Sequence, residues 1–360
     1  MDFMILLSAK ANALSLAIGD LIYKYLYAWV QTWSDNWATV GAFSVTTIMF
    51  TIFLKVLVSP LDIWQKAVMR KNAKKMEAMK PELEKITRQC GSDRNLLAQK
   101  QREVYKKHKY SMFGSCLPLI ITMAVFFIVF AGFNGAVSTH NAETYKALRD
   151  EYNKVYVQVL DEKDPDRTLT GEQSAAVNEA AKTAGQAAVV ELYESKYKES
   201  FFWVKNIFAG DNWQSPIMSA AETAKSVSLR EDEYNDVMGG LTSKYTGWNG
   251  YLILPILVLL LNVASIFINK PMMQQQQNAT VAAPGQTEEQ KKAQQSQAKM
   301  MQYVMPVMMF VFALFYSAAF TLYMFVNMLF SIILNLSYTL ITKKKDEQEK
   351  DRILSTTYKK

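Results

Sequence analysis

Lys55 is a cation inside an apolar run, "IFLKVLVSP" over 52–60. On a helix, Thr51, Thr47 and Ser44 fall on its face, four, eight and eleven positions earlier. An ammonium with three hydroxyls on one side can attract carboxylates and hold water, but it makes and breaks no bond by itself. Tyr323, Asn327, Ser331 and Asn335 recur every four residues and form a second polar stripe; Asn262, Ser265 and Asn269 form a third, and Thr122 adds one hydroxyl to another apolar block. Each has a plain structural reading. Ser and Thr bond back to their own helix, Asn glues helix pairs, and a lysine near a helix end reaches out to headgroups. Several such stripes together predict a shared hydrophilic cavity, because a cation left against lipid costs about 2.5–3.5 kcal/mol.

Catalytic parts are not apparent in the sequence. The two histidines, His108 and His140, fall on opposite sides of a predicted crossing, and no nucleophile with its base, Gly-rich phosphate loop or CxxC pair occurs. The acidic run "DEKDPD" lacks His partners and ordered ligand spacing, so it reads as a solvated turn. Cys90 and Cys116 both fall on the side predicted to be reducing, which argues against a disulfide. The chain is expected to be no enzyme and to need no cofactor or metal.

The elements that must position these residues follow from the apolar blocks. Five blocks, 39–59, 116–136, 251–268, 303–320 and 321–341, hold 18 to 21 residues each and no Asp or Glu. At about 1.5 Å per residue each is long enough for the roughly 30 Å hydrocarbon layer. Residues 1–38 contain a sixth segment, interrupted by Asp20 and Lys24 and crowded with Tyr23, Tyr25, Tyr27, Trp29 and Trp33. It reads as an interfacial amphipathic helix, with a signal anchor as the alternative. The start "MDFMILLSAK" has no basic stretch ahead of its apolar residues, which argues against a secretory signal.

Charge sets the orientation. Segment 60–115 carries 14 Lys/Arg against 6 Asp/Glu and the tail 342–360 carries 7 against 4, whereas 137–248 carries 12 against 18. Positive loops stay inside, so the prediction is a multi-pass protein of the cell membrane with its N-terminal segment outside and its C-terminus in the cytoplasm. The basic face suits anionic lipid or ribosomal RNA and is no evidence for DNA binding.

Residues 60–115 read as a cytoplasmic helical hairpin turning at "QCGSDR", with Met69, Met76, Met79, Leu83 and Ile86 as one stripe and Leu97 and Val104 as another. Residues 137–250 read as an external helical segment built on a helical pair, with Thr170 and Gln173 at capping-box spacing. Residues 269–302, rich in Gln and Ala, read as a flexible cytoplasmic loop.

Four stretches carry a family resemblance: "LKVLVSPLD", "YKKHKYSMFGSCLPLIITM", "SFFWVKNIFAGDNW" before "GYLILPIL", and "KMMQYVMPVMMFVFALFYSAAFTLYMFVNMLFSI". In that order they resemble the YidC/Oxa/Alb family of membrane protein insertases, of the bacterial YidC type. The likeness spans about 250 residues and leaves 137–198 without an obvious counterpart. It implies an all-α polytopic membrane protein, five transmembrane helices around a hydrophilic groove, with the cytoplasmic hairpin and an external helical insertion. The groove would open to the cytoplasm and lipid, receive nascent transmembrane segments and release them into the bilayer. Its implied lining is Lys55, Thr51, Thr47, Ser44, Thr122, Asn262, Tyr323, Asn327 and Ser331. Nascent membrane proteins and the bilayer are the implied partners; the ribosome and the Sec translocon are left open. Lys55 stands where the family has arginine, Thr122 where it often has glutamine and Ser317 where it often has proline. The rival readings are a small-solute channel or transporter using the same cavity, against which no internal repeat is found, and a scaffold whose polar residues only glue helices.

Overall fold

The computed structural model describes residues 13–14, 16–34, 39–90, 94–110, 113–281, 296, 303–304 and 306–357. These are mainly helical, with no strand among them and two isolated bridges, Val40 to Phe201 and Phe201 to Val204. A π-helical turn, Leu21–Tyr27, leads into α1 (Ala28–Ser34); then come α2 (Ala42–Cys90), α3 (Arg94–Lys107), α4 (Phe113–Lys163) and α5 (Gly171–Leu192). They are followed by α6 (Ala220–Thr223), α7 (Glu231–Lys244), α8 (Ile253–Val281), α9 (Pro306–Phe315) and α10 (Ala318–Thr357). Among the described residues, three helices are long and apolar enough to cross a membrane: α2, α4 over Met123–Lys163, and α10 over Ala318–Lys345. The apolar stretches Ile253–Ile268 and Pro306–Phe315 are shorter.

The chain divides into two compact units. The first comprises Met1–Phe50, Phe127–Ile256 and Val311–Met324; the second comprises Thr51–Phe126, Leu257–Phe310 and Phe325–Lys360.

In the first unit, the N-terminal segment buries Ile22, Tyr27 and Val30 while Tyr25, Trp29 and Trp33 stay exposed, the two-faced pattern of an amphipathic helix. The helical insert packs the far half of α4 with α5 and α7 around Tyr145, Leu148, Tyr152, Val189, Val237 and Leu241. The sequence predicts a pair of helices here. The third, α7, starts with Glu231, Asp232 and Glu233, three carboxylates placed favourably against its N-terminal dipole. Thr170 makes no side-chain cap to α5; the capping box forms instead at Ser219 and Glu222, at the start of α6.

In the second unit, α2 packs Met76, Met79 and Leu83 against Val104 of α3. Glu82 accepts from Lys107 at 2.7 Å and lies 3.0 Å from the His108 ring, and these contacts hold the Glu82 carboxyl below the usual carboxylate range.

Several helices outrun their predicted ends. Helix α2 passes through Pro60, whose missing N–H leaves the Val56 carbonyl without its usual donor; the Ser59 hydroxyl donates to that carbonyl at 2.9 Å. Helix α4 runs unbroken from the apolar block into the insert, because 137–163 contains neither Gly nor Pro to stop it. Residues 269–281, expected as flexible loop, continue α8 through Pro271, where the helix is already nucleated and the Met and Gln run that follows is helix-forming. The remainder of that expected loop, apart from 296, lies outside the described residues.

Candidate functional site

Lys55 belongs to the second unit. Its Nζ lies 3.4 Å from Oδ2 of Asp62, and the two side chains are 12% and 15% exposed. Seven residues separate them, two helical turns, so both project from one face of α2. The ammonium is neither free in solvent nor unpaired. Four residues beyond Asp62, the Lys66 Nζ lies 6.0 Å from the centroid of the Tyr338 ring of α10, within reach of a cation–π contact. Along α2 the charges therefore run positive, negative, positive.

The other expected lining residues divide sharply. Ser44, Thr47 and Thr51 are fully buried. Ser44 donates to the Ser200 carbonyl at 3.3 Å and Thr47 to the Phe43 carbonyl at 2.9 Å, so these hydroxyls are engaged with backbone. Tyr323 is buried in the first unit, its ring against Phe133 and Phe320. Asn262, Asn327 and Ser331, all of the second unit, are half-buried. Asn262 donates to the Val258 carbonyl at 2.9 Å and Ser331 to the Asn327 carbonyl at 2.8 Å, which leaves their other polar capacity available. Thr122 is on α4, and its side chain lies outside the described residues. The expected lining residues that keep some exposure thus belong to the second unit, as does the Lys55–Asp62 pair.

A second constellation, unforeseen in the sequence, occupies 199–212 of the first unit. Glu199 accepts the Phe43 backbone N–H at 3.1 Å and the Tyr27 hydroxyl at 2.7 Å, placing a buried carboxylate at the N-terminus of α2. Burial and the adjacent Glu199 push the Tyr27 phenol far above its ordinary value, so it remains a donor. Asp211 does the same for α8: it accepts the N–H groups of Leu252 at 3.0 Å and Leu254 at 2.8 Å, and the Trp203 indole at 3.1 Å. The loop also serves α9 and α10. Asn212 donates to the Leu314 carbonyl, and the N–H groups of Ala318 and Ala319 donate to the carbonyls of Ala209 and Ile207. Helix N-termini leave backbone donors unmet and carry partial positive charge, so a carboxylate there satisfies both needs. Glycine is required beside each: a Cβ on Gly41 would fall 2.0 Å from Glu199 Oε2, and one on Gly250 1.9 Å from Asp211 Oδ1.

Among the described residues no group of His, Cys, Asp and Glu could hold a metal ion.

The family described as 60Kd inner membrane protein matches residues 35–347. The chain belongs to that family. Among similar curated proteins, the Membrane protein insertase YidC of Fusobacterium nucleatum is 32% identical over 109 residues, 30% of this chain and 50% of that relative. Those of Caldanaerobacter subterraneus (32% over 91 residues, 25% of this chain and 42% of the relative) and Haemophilus ducreyi (27% over 137 residues, 36% and 25%) are also similar. The chain thus spans half or less of the length of these relatives. It is an all-α, multi-pass membrane protein of this family.

Proposed function

We propose that this chain is a membrane protein insertase whose working residues lie in the second unit, around Lys55. The observation that carries the reading is the Lys55 ammonium itself, 12% exposed at the end of an apolar helical stretch in a chain of this family. A partly desolvated cation attracts a carboxylate more strongly than one in bulk water, since the interaction scales inversely with the local dielectric constant. Asn262, Asn327 and Ser331 supply hydrogen-bonding capacity that a passing polar segment loses on leaving water. A nascent chain with an acidic external segment would be drawn to Lys55 from the cytoplasmic side, its hydrophilic end sheltered while its apolar helix moves into lipid. In this reading the N-terminus lies outside and the C-terminus in the cytoplasm, as the basic loops favour.

Lys55→Gln and Lys55→Glu are expected to reduce insertion of substrates with acidic external segments, and Lys55→Arg to be tolerated, in proteoliposomes containing the full chain. Glu adds repulsion from Asp62, so Gln isolates the loss of charge. Normal insertion by the Gln variant overturns the reading.

The backbone-bonded hydroxyls of Thr47 and Ser331 favour a second reading, a scaffold in which polar groups only stabilise helices. Cysteine labelling from water separates the two. A cysteine at 327 reacts if the site is wet and is protected in a scaffold, whereas one at 47 is protected in either case.

A further inference from the structure

We infer that Asp62 is an internal stand-in for the substrate carboxylate, and that it sets how acidic a segment must be to engage Lys55. The inference rests on the insertase reading. Helical side chains lean toward the N-terminus, so the Lys55 stem must turn along α2 in the opposite direction for its ammonium to come within 3.4 Å of Asp62. The pair is mostly buried, yet neither side chain is sealed, so a competing carboxylate can approach without unfolding the helix.

Simple removal of either partner would leave a charge poorly solvated and unpaired, a costly state. Exchange avoids it. When an incoming carboxylate takes Lys55, Asp62 can turn to Lys66, four residues on along the same helix and a favourable spacing for an ion pair. Lys66 is held near the Tyr338 ring in the meantime, by a contact weak enough to be shared or given up. Every charge then has a partner before and after the exchange, so the step is nearly balanced and its direction depends on the acidity of the incoming segment. A segment without carboxylates cannot displace Asp62, and one with a single carboxylate competes on roughly equal terms. Several carboxylates raise the local concentration of competitor and win.

The test uses the full chain in membrane vesicles with a photocrosslinking residue at Val58, half-buried and one turn from Lys55. Stalled nascent substrates carry zero, one or three Asp in the external segment. The readout is the ratio of capture of the one-Asp to the zero-Asp substrate, taken within each variant so that differences in the amount of folded protein cancel. Asp62→Asn is expected to raise this ratio about fivefold, the scale of one modest ion-pair competition. Asp62→Glu stays near wild type, and Lys55→Gln combined with Asp62→Asn loses the preference. An Asp62→Asn ratio at or below wild type, in a chain that still captures substrate, overturns the inference and leaves the insertase reading standing. A wild-type chain that captures no substrate overturns both.

Discussion

In the first unit Glu199 and Asp211 face backbone N–H groups, fixed donors at the starts of α2 and α8. In the second, Asp62 faces an ammonium on a flexible four-carbon stem. The same functional group thus meets two kinds of partner. A backbone donor cannot leave without undoing the helix end, whereas a lysine side chain can exchange one carboxylate for another at small cost. The first unit also ties its helix ends through Asn206, Asn212 and Asn249, with Asn249 donating to the carbonyls of Asn206 and Gly210 at 2.8 Å each. The first unit thus holds helix ends on fixed donors, and the proposed exchange would draw on the side-chain pair of the second.

The largest effect is expected on removing a clamp. Asp211→Ala orphans two backbone donors and an indole, and is expected to cost about 2–4 kcal/mol of stability, read as a lower melting temperature in detergent. Gly250→Ala should approach that loss by pushing the Asp211 carboxylate aside. If instead both changes left the melting curve unmoved, the assignment of Asp211 as a helix-end clamp would fail. A smaller effect is expected at Pro60: Ser59→Ala removes the hydroxyl that serves the Val56 carbonyl and should cost about 0.5–1.5 kcal/mol. Hydrogen exchange along 56–64 would localise that change.

The smallest effect concerns pH and the α2–α3 hairpin. Because the folded state holds the Glu82 carboxyl below its ordinary value, its contribution is present above the unfolded carboxylate range and is lost as pH falls through the folded value. Protease resistance of the hairpin should therefore decline on acidification below that range, and Glu82→Gln should remove this part of the pH dependence. The helix ends of the first unit should be unaffected by that substitution.

Much of the architecture is legible in composition. The apolar blocks announce a helical membrane protein, and Lys55 stands out as a cation inside one of them. The lining is less legible, because face-sharing on one helix does not say what covers the face. Ser44, Thr47 and Thr51 share a stripe with Lys55 and are nevertheless fully buried. The Lys55–Asp62 pairing has a visible signal, a spacing of two turns within "LKVLVSPLD", but whether the groups meet depends on rotamers and on Pro60 leaving the helix intact. The clamps were illegible for another reason. Glu199 reaches a backbone donor 156 residues away and Asp211 one 43 residues away, and no local pattern encodes such partners. Thr170 shows the converse: the right residue types at capping-box spacing, without the cap.

If the Lys55 face of α2 receives substrate as proposed, the opposite face is expected to meet lipid. Photocrosslinkers placed singly at Val58, on the Lys55 face, and at Leu57, 66% exposed and about 200° around the helix from Lys55, test it directly with a stalled nascent membrane protein. Capture of the nascent chain from 58 and lipid adducts from 57 are expected. Equal capture from both positions, or capture from 57 alone, would contradict it.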